Sequence, residues 1–245
     1  MKQIGLVLYL CINVLHAQND TVVYRIPGMQ DVLTSKYIYK IAGDTSLTLE
    51  VYYPPKHNKN IKTPAVIFNN GVGSLTLPDW LVYRDWGKLA AASGLIAITY
   101  QSRQGLSRKD TEDLITYVRA HATEMYIDAD RIGLWMCSGN VSAALPIAME
   151  SERVYIRCAV VYYGSAEVSS IRKDLPVFYV RSGLDQLGLN RAIERYVLRA
   201  IEEEAPLTFI HYAEGQHAFD IADDNEQSRR IIRQTLDFLT DHLTE

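Results

Sequence analysis

Arg131-Ile-Gly-Leu-Trp-Met-Cys-Ser-Gly-Asn140, continued by Val141-Ser-Ala-Ala-Leu145, is the stretch on which the reading of this chain turns. Residues 131–135 carry an apolar strand pattern, Ser-Gly-Asn is turn chemistry, and a helical pattern begins at Val141. Strand, tight turn and helix are therefore contiguous. Such a junction lifts a turn side chain above the carboxyl edge of a sheet, and the start of the helix offers unpaired N–H groups to a developing negative charge. Ser138 holds the raised position. A serine there also suits a plain helix N-cap, so the rest of the chain has to decide between the two.

Further apolar runs lie at 65–68, 95–100, 158–162, 177–180 and 207–212, and most are followed by helical stretches. That rhythm is βαβ, which predicts an α/β fold with a mostly parallel central sheet and helices on both faces. Residues 37–41 and 47–53, joined by Ala42-Gly43-Asp44, predict an N-terminal antiparallel hairpin. Leu189, Ile193, Val197 and Ile201 make one apolar helix face, and Ile232, Leu236, Leu239 and Leu243 another. Glu202-Glu203-Glu204 ends the first of these helices as solvated surface. Pro146 removes the N–H that would bond the Ser142 carbonyl and is expected to kink its helix.

The 245 residues are 48% hydrophobic, with 25 Lys+Arg against 29 Asp+Glu and a formal charge of −4, enough for one domain with a sizeable core. The basic residues form no dense block, which argues against a nucleic-acid partner. There is no C-x-x-C, no H-E-x-x-H and no G-x-x-x-x-G-K-[ST], so the strongest zinc, redox and P-loop signatures are missing and side-chain chemistry without a cofactor or metal is expected. Lys2, the apolar run at 4–15 and Ala17 read as a signal peptide over 1–17. The expectation is then an exported, periplasmic or extracellular protein, a single domain over 18–245 and no stable membrane insertion once the leader is gone. Cys137 and Cys158 lie in or beside apolar strands and are read as buried thiols rather than a disulfide.

Two other loops carry chemistry. Asp185 follows the 177–180 strand within Ser182-Gly-Leu-Asp185, and His217 follows the 207–212 strand within Glu214-Gly-Gln-His-Ala-Phe219. Loops that follow parallel strands share one edge of the sheet, so Ser138, Asp185 and His217 can converge. Asp174 precedes its strand and belongs to the opposite edge; His121 and His242 sit in helical stretches, His57 in a polar loop and His211 inside a strand. A Ser-Asp-His order over three such loops is that of a triad in which histidine activates the hydroxyl and the carboxylate orients the histidine.

With Ile127-Asp-Ala-Asp-Arg-Ile-Gly-Leu-Trp135 before the turn, Pro176-Val-Phe-Tyr-Val-Arg-Ser-Gly-Leu-Asp185 around the acid and Glu214-Gly-Gln-His-Ala-Phe219 around the base, the chain resembles the α/β-hydrolase superfamily over most of residues 35–243. Its dienelactone-hydrolase-like and acyl-esterase-like members are the ones it looks like. The resemblance implies the α/β-hydrolase fold, Ser138 as nucleophile, His217 as general base and acid, Asp185 as orienting carboxylate and the Gly139 N–H as one oxyanion donor. The second donor would come from the 69–73 loop, from Gly71 or Val72. Met136 and Asn140 stand where the family has small residues, and are expected to crowd the turn.

Dienelactone hydrolases use cysteine at this turn, so Cys137 is a rival nucleophile. That register would put Trp135 in the tightest position, which favours Ser138. About a dozen residues separate Tyr162 from Pro176, where cap domains of the superfamily are inserted, so no cap domain is expected. Trp80, Tyr83, Trp86 and Arg103 are candidates for the rim of an open mouth, although both tryptophans also suit the core. The expected activity is cleavage of a small-molecule carboxylic ester, or a related lactone or thioester, through an acyl-enzyme. The alternatives are a thiol hydrolase built on Cys137 and a non-catalytic binding protein of the same fold.

Overall fold

The computed structural model describes residues 21–69 and 75–244; the signal peptide expected over 1–17, Gly71 and Val72 lie outside the described residues. Eight strands form one sheet: β1 (Leu33–Ala42), β2 (Thr45–Tyr53), β3 (Thr63–Asn69), β4 (Ile96–Tyr100), β5 (Ile127–Cys137), β6 (Ile156–Tyr162), β7 (Val177–Ser182) and β8 (Leu207–Tyr212). Their spatial order is β1-β2-β4-β3-β5-β6-β7-β8. The β1–β2 and β2–β4 pairs are antiparallel, and every other pair is parallel. The hairpin turns at Gly43, whose φ of +62° costs glycine nothing.

The helices are α1 (Leu81–Ala92), α2 (Ser107–Ala120), α3 (Val141–Ala148), α4 (Leu187–Glu202), the short α5 (Phe219–Ala222) and α6 (Glu226–Thr244). Successive strand residues serve opposite faces. Ala65 and Ile67 pack with Leu134 and Met136 beneath α2, α3 and α4, while Val66 and Phe68 pack with Trp135 and Cys137 beneath α1 and α6. A near-continuous apolar strand is what a sheet covered on both sides requires. Ile232, Leu236, Leu239 and Leu243 are all buried, each worth about 1.5–3 kcal/mol of transfer free energy.

The other helix departs from expectation. In α4 the buried face is Asn190, Ile193, Tyr196, Val197 and Ala200, and Ile201 is 63% exposed. Steps of four advance about 40° beyond a full turn, so three of them carry Ile201 off the face that Leu189 starts. The four-three-four spacing in α6 corrects this drift, and there the whole set stays inside. Pro146 lies within α3, which ends two residues later at Ala148.

The chain leaves β3 for β4 on one side and returns to β5 on the other, so the carboxyl ends of β3 and β5 flank a topological switch point, the place where open α/β sheets hold ligands. Asn69, the last residue of β3, is fully buried; its Oδ1 accepts the Tyr100 hydroxyl at 2.7 Å, and Tyr100 meets Thr111 of α2 at 2.6 Å. The strand end from which the 70–74 loop departs is thereby fixed. Between β6 and β7 there is only a short connection with no helix or strand of its own, so no cap domain is inserted there. No helix among the described residues is long and apolar enough to cross a membrane.

Candidate active site

β5 ends at Cys137, and the chain turns at Ser138 with φ +51°, a left-handed conformation that a non-glycine residue rarely holds. A single 3₁₀ turn (Ser138–Asn140) leads straight into α3. Neighbouring segments over-determine this geometry. Gly164, two residues beyond β6, lies so close under the turn that a Cβ there would collide with the Ser138 carbonyl oxygen and the Val141 side chain. Gly164 thus leaves room beneath the turn that any side chain there would fill. Met136 is buried among the residues under α3, and Asn140 is buried at the helix start.

Ser138 Oγ lies 2.9 Å from Nε2 of His217, and Nδ1 of His217 lies 2.6 Å from Oδ2 of Asp185. A carboxylate only accepts, so Nδ1–H donates to Asp185 and Nε2 is left with a lone pair facing the Ser138 hydroxyl. The other carboxylate oxygen of Asp185 accepts the Gln186 N–H at 2.7 Å. The Asp185 side chain is 4% exposed against 43% for His217, so the acid is shielded while the imidazole faces solvent. Ser138, His217 and Asp185 are thus brought together in one hydrogen-bonded chain.

The His217 loop is held from both sides. Before it, Gln216 donates through its backbone N–H and its side-chain amide to the two carboxylate oxygens of Asp223, at 2.9 and 2.8 Å. After it, Ala218 is left-handed at φ +61° and Phe219 is buried against Tyr162, Tyr163 and Tyr212. The acid loop is tied to the same segment: Gly183 N–H donates to the Tyr212 carbonyl at 2.7 Å and Leu184 N–H to the Gly215 carbonyl at 3.0 Å. A Cβ on Gly183 would strike the Ala213 backbone, which is why the two loops can lie this close.

A second buried carboxylate stands nearby. Asp220 accepts the Tyr163 hydroxyl at 2.6 Å and the Trp86 indole N–H at 2.8 Å. Burial pushes its carboxyl above the usual range, and these two bonds pull it partly back. Neither Tyr163, Gly164 nor Asp220 announces itself in the sequence, because each matters only through a partner distant along the chain. The proximity of Asp220 to His217 is the one local hint.

Other candidates fall elsewhere. Cys137 is 4% exposed and packs with Trp135, Phe68 and Tyr162. Cys158 is buried, its thiol pushed up to about 12 by desolvation, and the two cysteines form no disulfide. Trp86 is fully buried between Phe68, Trp135 and Tyr162, and Trp80 stacks on Tyr83, so neither tryptophan forms an open rim. Arg103 grips Asp110 in a fork, Nε to Oδ2 at 3.0 Å and Nη2 to Oδ1 at 2.6 Å, and Lys40 joins the same carboxylate at 2.7 Å. Burial alone would raise the Asp110 carboxyl, but the bonds from Arg103 and Lys40 hold it below the usual range. Asp174 pairs with Arg172 before β7, away from the triad edge. The described residues contain no cluster of three or more His, Cys, Asp or Glu side chains arranged to hold a metal ion.

This sheet order, with its antiparallel start and a serine turn after β5, is the α/β-hydrolase fold. No protein-family model matches the chain, and no curated protein does. Solved structures do. MGS-M1, an α/β hydrolase enzyme from a Medee basin deep-sea metagenome library, aligns with a TM-score of 0.71 at 16% identity, over 88% of this chain and 100% of its own. The thermophilic esterase Est2 of the planctomycete Thermogutta terrifontis aligns with a TM-score of 0.69 at 17% identity, over 89% and 95%. Esterase LipW of Mycobacterium marinum aligns with a TM-score of 0.71 at 12% identity, over 87% and 83%. The Thermogutta esterase has also been solved phosphorylated by paraoxon.

Proposed function

We propose that this chain is a serine hydrolase that cleaves carboxylic esters through an acyl-enzyme. The observation that carries the reading is the unbroken chain from Ser138 Oγ through His217 to Asp185, mounted on a left-handed turn at a helix start. His217 Nε2 takes the hydroxyl proton as Ser138 Oγ attacks the carbonyl carbon. The carbonyl π electrons move onto oxygen, which the Gly139 N–H and an amide at Gly71 or Val72 would receive. His217 then gives the proton to the departing alkoxide, and a water repeats the sequence to free the acid. Asp185 keeps the tautomer and balances the imidazolium charge.

Esters come before lactones and thioesters because the solved structures of similar fold include esterases. Leu106 at the N-cap of α2, Leu184 in the acid loop and Leu187 at the start of α4 are exposed on the same edge and favour a substrate with an apolar acyl or alcohol part. The test is exposure to paraoxon followed by intact-mass measurement, alongside p-nitrophenyl esters of increasing acyl length. A phosphoryl adduct on Ser138 and turnover that Ser138→Ala abolishes are expected. A folded wild-type protein with neither adduct nor turnover would overturn the reading in favour of a non-catalytic binding protein.

A further inference from the structure

The imidazole of His217 touches more than Ser138 and Asp185. The Tyr163 ring packs against it, centroids 4.7 Å apart and planes inclined at 57°. Tyr163 is itself unusual: it is 4% exposed and sits at φ +34°, where a bulky residue is strained. Strain of this kind persists only where surrounding contacts hold it, and the contacts are specific. The Tyr163 hydroxyl donates to Oδ1 of Asp220, and Oδ2 of Asp220 accepts from Trp86, which is wedged among Phe68, Trp135 and Tyr162. A fully buried carboxylate is costly in an apolar core. Here its two oxygens hold a phenol and an indole in fixed places.

Chain connectivity makes the arrangement more pointed. The residue after Tyr163 is Gly164, which is pressed under the Ser138 carbonyl, so two consecutive residues touch the backbone of the nucleophile and the ring of the base. Asp220 lies three residues after His217, at the start of α5. The phenol therefore bridges the post-β6 segment to the His217 loop at both ends, by its ring and by its hydroxyl.

We propose that Tyr163, anchored by Asp220, is a positioning residue that fixes the plane of the His217 imidazole so that Nε2 stays aimed at Ser138. This rests on the hydrolase reading for its consequence in turnover, though not for its geometry. A base displaced by about 1 Å loses on the order of a hundredfold in rate.

The experiment compares wild type with Tyr163→Phe, Tyr163→Leu and Asp220→Ala, each verified as folded by thermal melting. Steady-state rates on p-nitrophenyl butyrate are read together with the proton NMR signal of His217 Nδ1–H, which needs no turnover. Tyr163→Leu is expected to lose roughly a hundredfold in kcat with KM within about twofold, and to broaden or lose the Nδ1–H signal. Tyr163→Phe restores the ring without its anchor, and should recover most of the rate and a visible signal. Asp220→Ala should fall between the two. If Tyr163→Leu does not fold, Asp220→Ala is compared with Tyr163→Phe, and a loss in both kcat and the NMR signal in Asp220→Ala, with Tyr163→Phe close to wild type, supports the proposal. Wild-type kcat and an unchanged signal in folded Tyr163→Leu, or in Asp220→Ala where Tyr163→Leu does not fold, overturn it. A wild-type protein that shows no turnover removes the hydrolase reading, and the NMR signal alone then decides whether Tyr163 holds the ring.

Discussion

Gly164 and Ser138 are 26 positions apart in sequence, yet the Cα of the glycine lies against the backbone carbonyl of the serine with no space for a methyl group between. The turn that raises Ser138 is thus shaped by the segment after β6 as much as by its own residues. Gly164→Ala should force one of the two to move. A stability loss of about 1–3 kcal/mol is expected from overpacking, with at least a tenfold fall in kcat. Thermal melting and ester turnover on the same sample check both parts. An active, equally stable Gly164→Ala protein would show that the contact is dispensable.

The hydrogen-bonded chain sets the scale for direct removal. His217→Ala and Ser138→Ala should each lower kcat by roughly a millionfold if the hydrolase reading holds, whereas Asp185→Asn, which keeps the shape but not the tautomer, should cost about ten thousandfold. The double variant Ser138→Ala/His217→Ala should be no worse than either single change. Additive losses in kcat would mean that the two residues do not act as a unit.

Serine and cysteine are separated by chemistry at neighbouring positions. Cys137→Ala should retain turnover and the paraoxon adduct, while Ser138→Ala loses both. Iodoacetamide should leave Cys137 and Cys158 largely unmodified: both are buried, and desolvation pushes the Cys158 thiol up to about 12, which leaves little thiolate to react. Rapid alkylation with loss of turnover, together with a dead Cys137→Ala variant, would make this a thiol hydrolase.

Away from the site, the Asp110 cluster predicts an acid-labile contribution to stability. Its carboxyl is held below the usual range when folded, so its stabilising share is complete above the unfolded value of about 4 and is lost as pH falls through the lower folded value. Asp110→Asn should lower stability at pH 7 by about 1–3 kcal/mol. The gap in Tm between variant and wild type should then close as the pH is lowered from 5 towards 2.5. A gap that stays constant across that range would remove Asp110 as its source.

What the sequence reveals depends on how local the determinant is. β5, the turn and α3 are contiguous, so Ser138 can be found from pattern alone, and Asp185 and His217 follow because each comes just after a strand whose direction is already known. The Tyr163 hydroxyl and the small size of Gly164 have no such marker. Their partners, Asp220 and Ser138, lie on other elements, and a tyrosine followed by a glycine after a strand looks like any loop. The misplaced Ile201 has a different cause: four-residue steps resemble a helix face over two turns and drift away from it over four. Arg103 shows the converse error, since a basic residue in a loop at the right edge is spent on Asp110.

On the hydrolase reading, the left-handed backbone of Ser138 sets folding against chemistry at a single residue. Held at φ +51°, a residue with a Cβ lifts the energy of the native state by about 1–2 kcal/mol in every molecule, occupied or empty. Glycine would be relieved of that penalty and would at the same time lose the hydroxyl. Ser138→Gly is accordingly expected to melt at a higher temperature than wild type while turning over nothing, an inactive protein better folded than the active one.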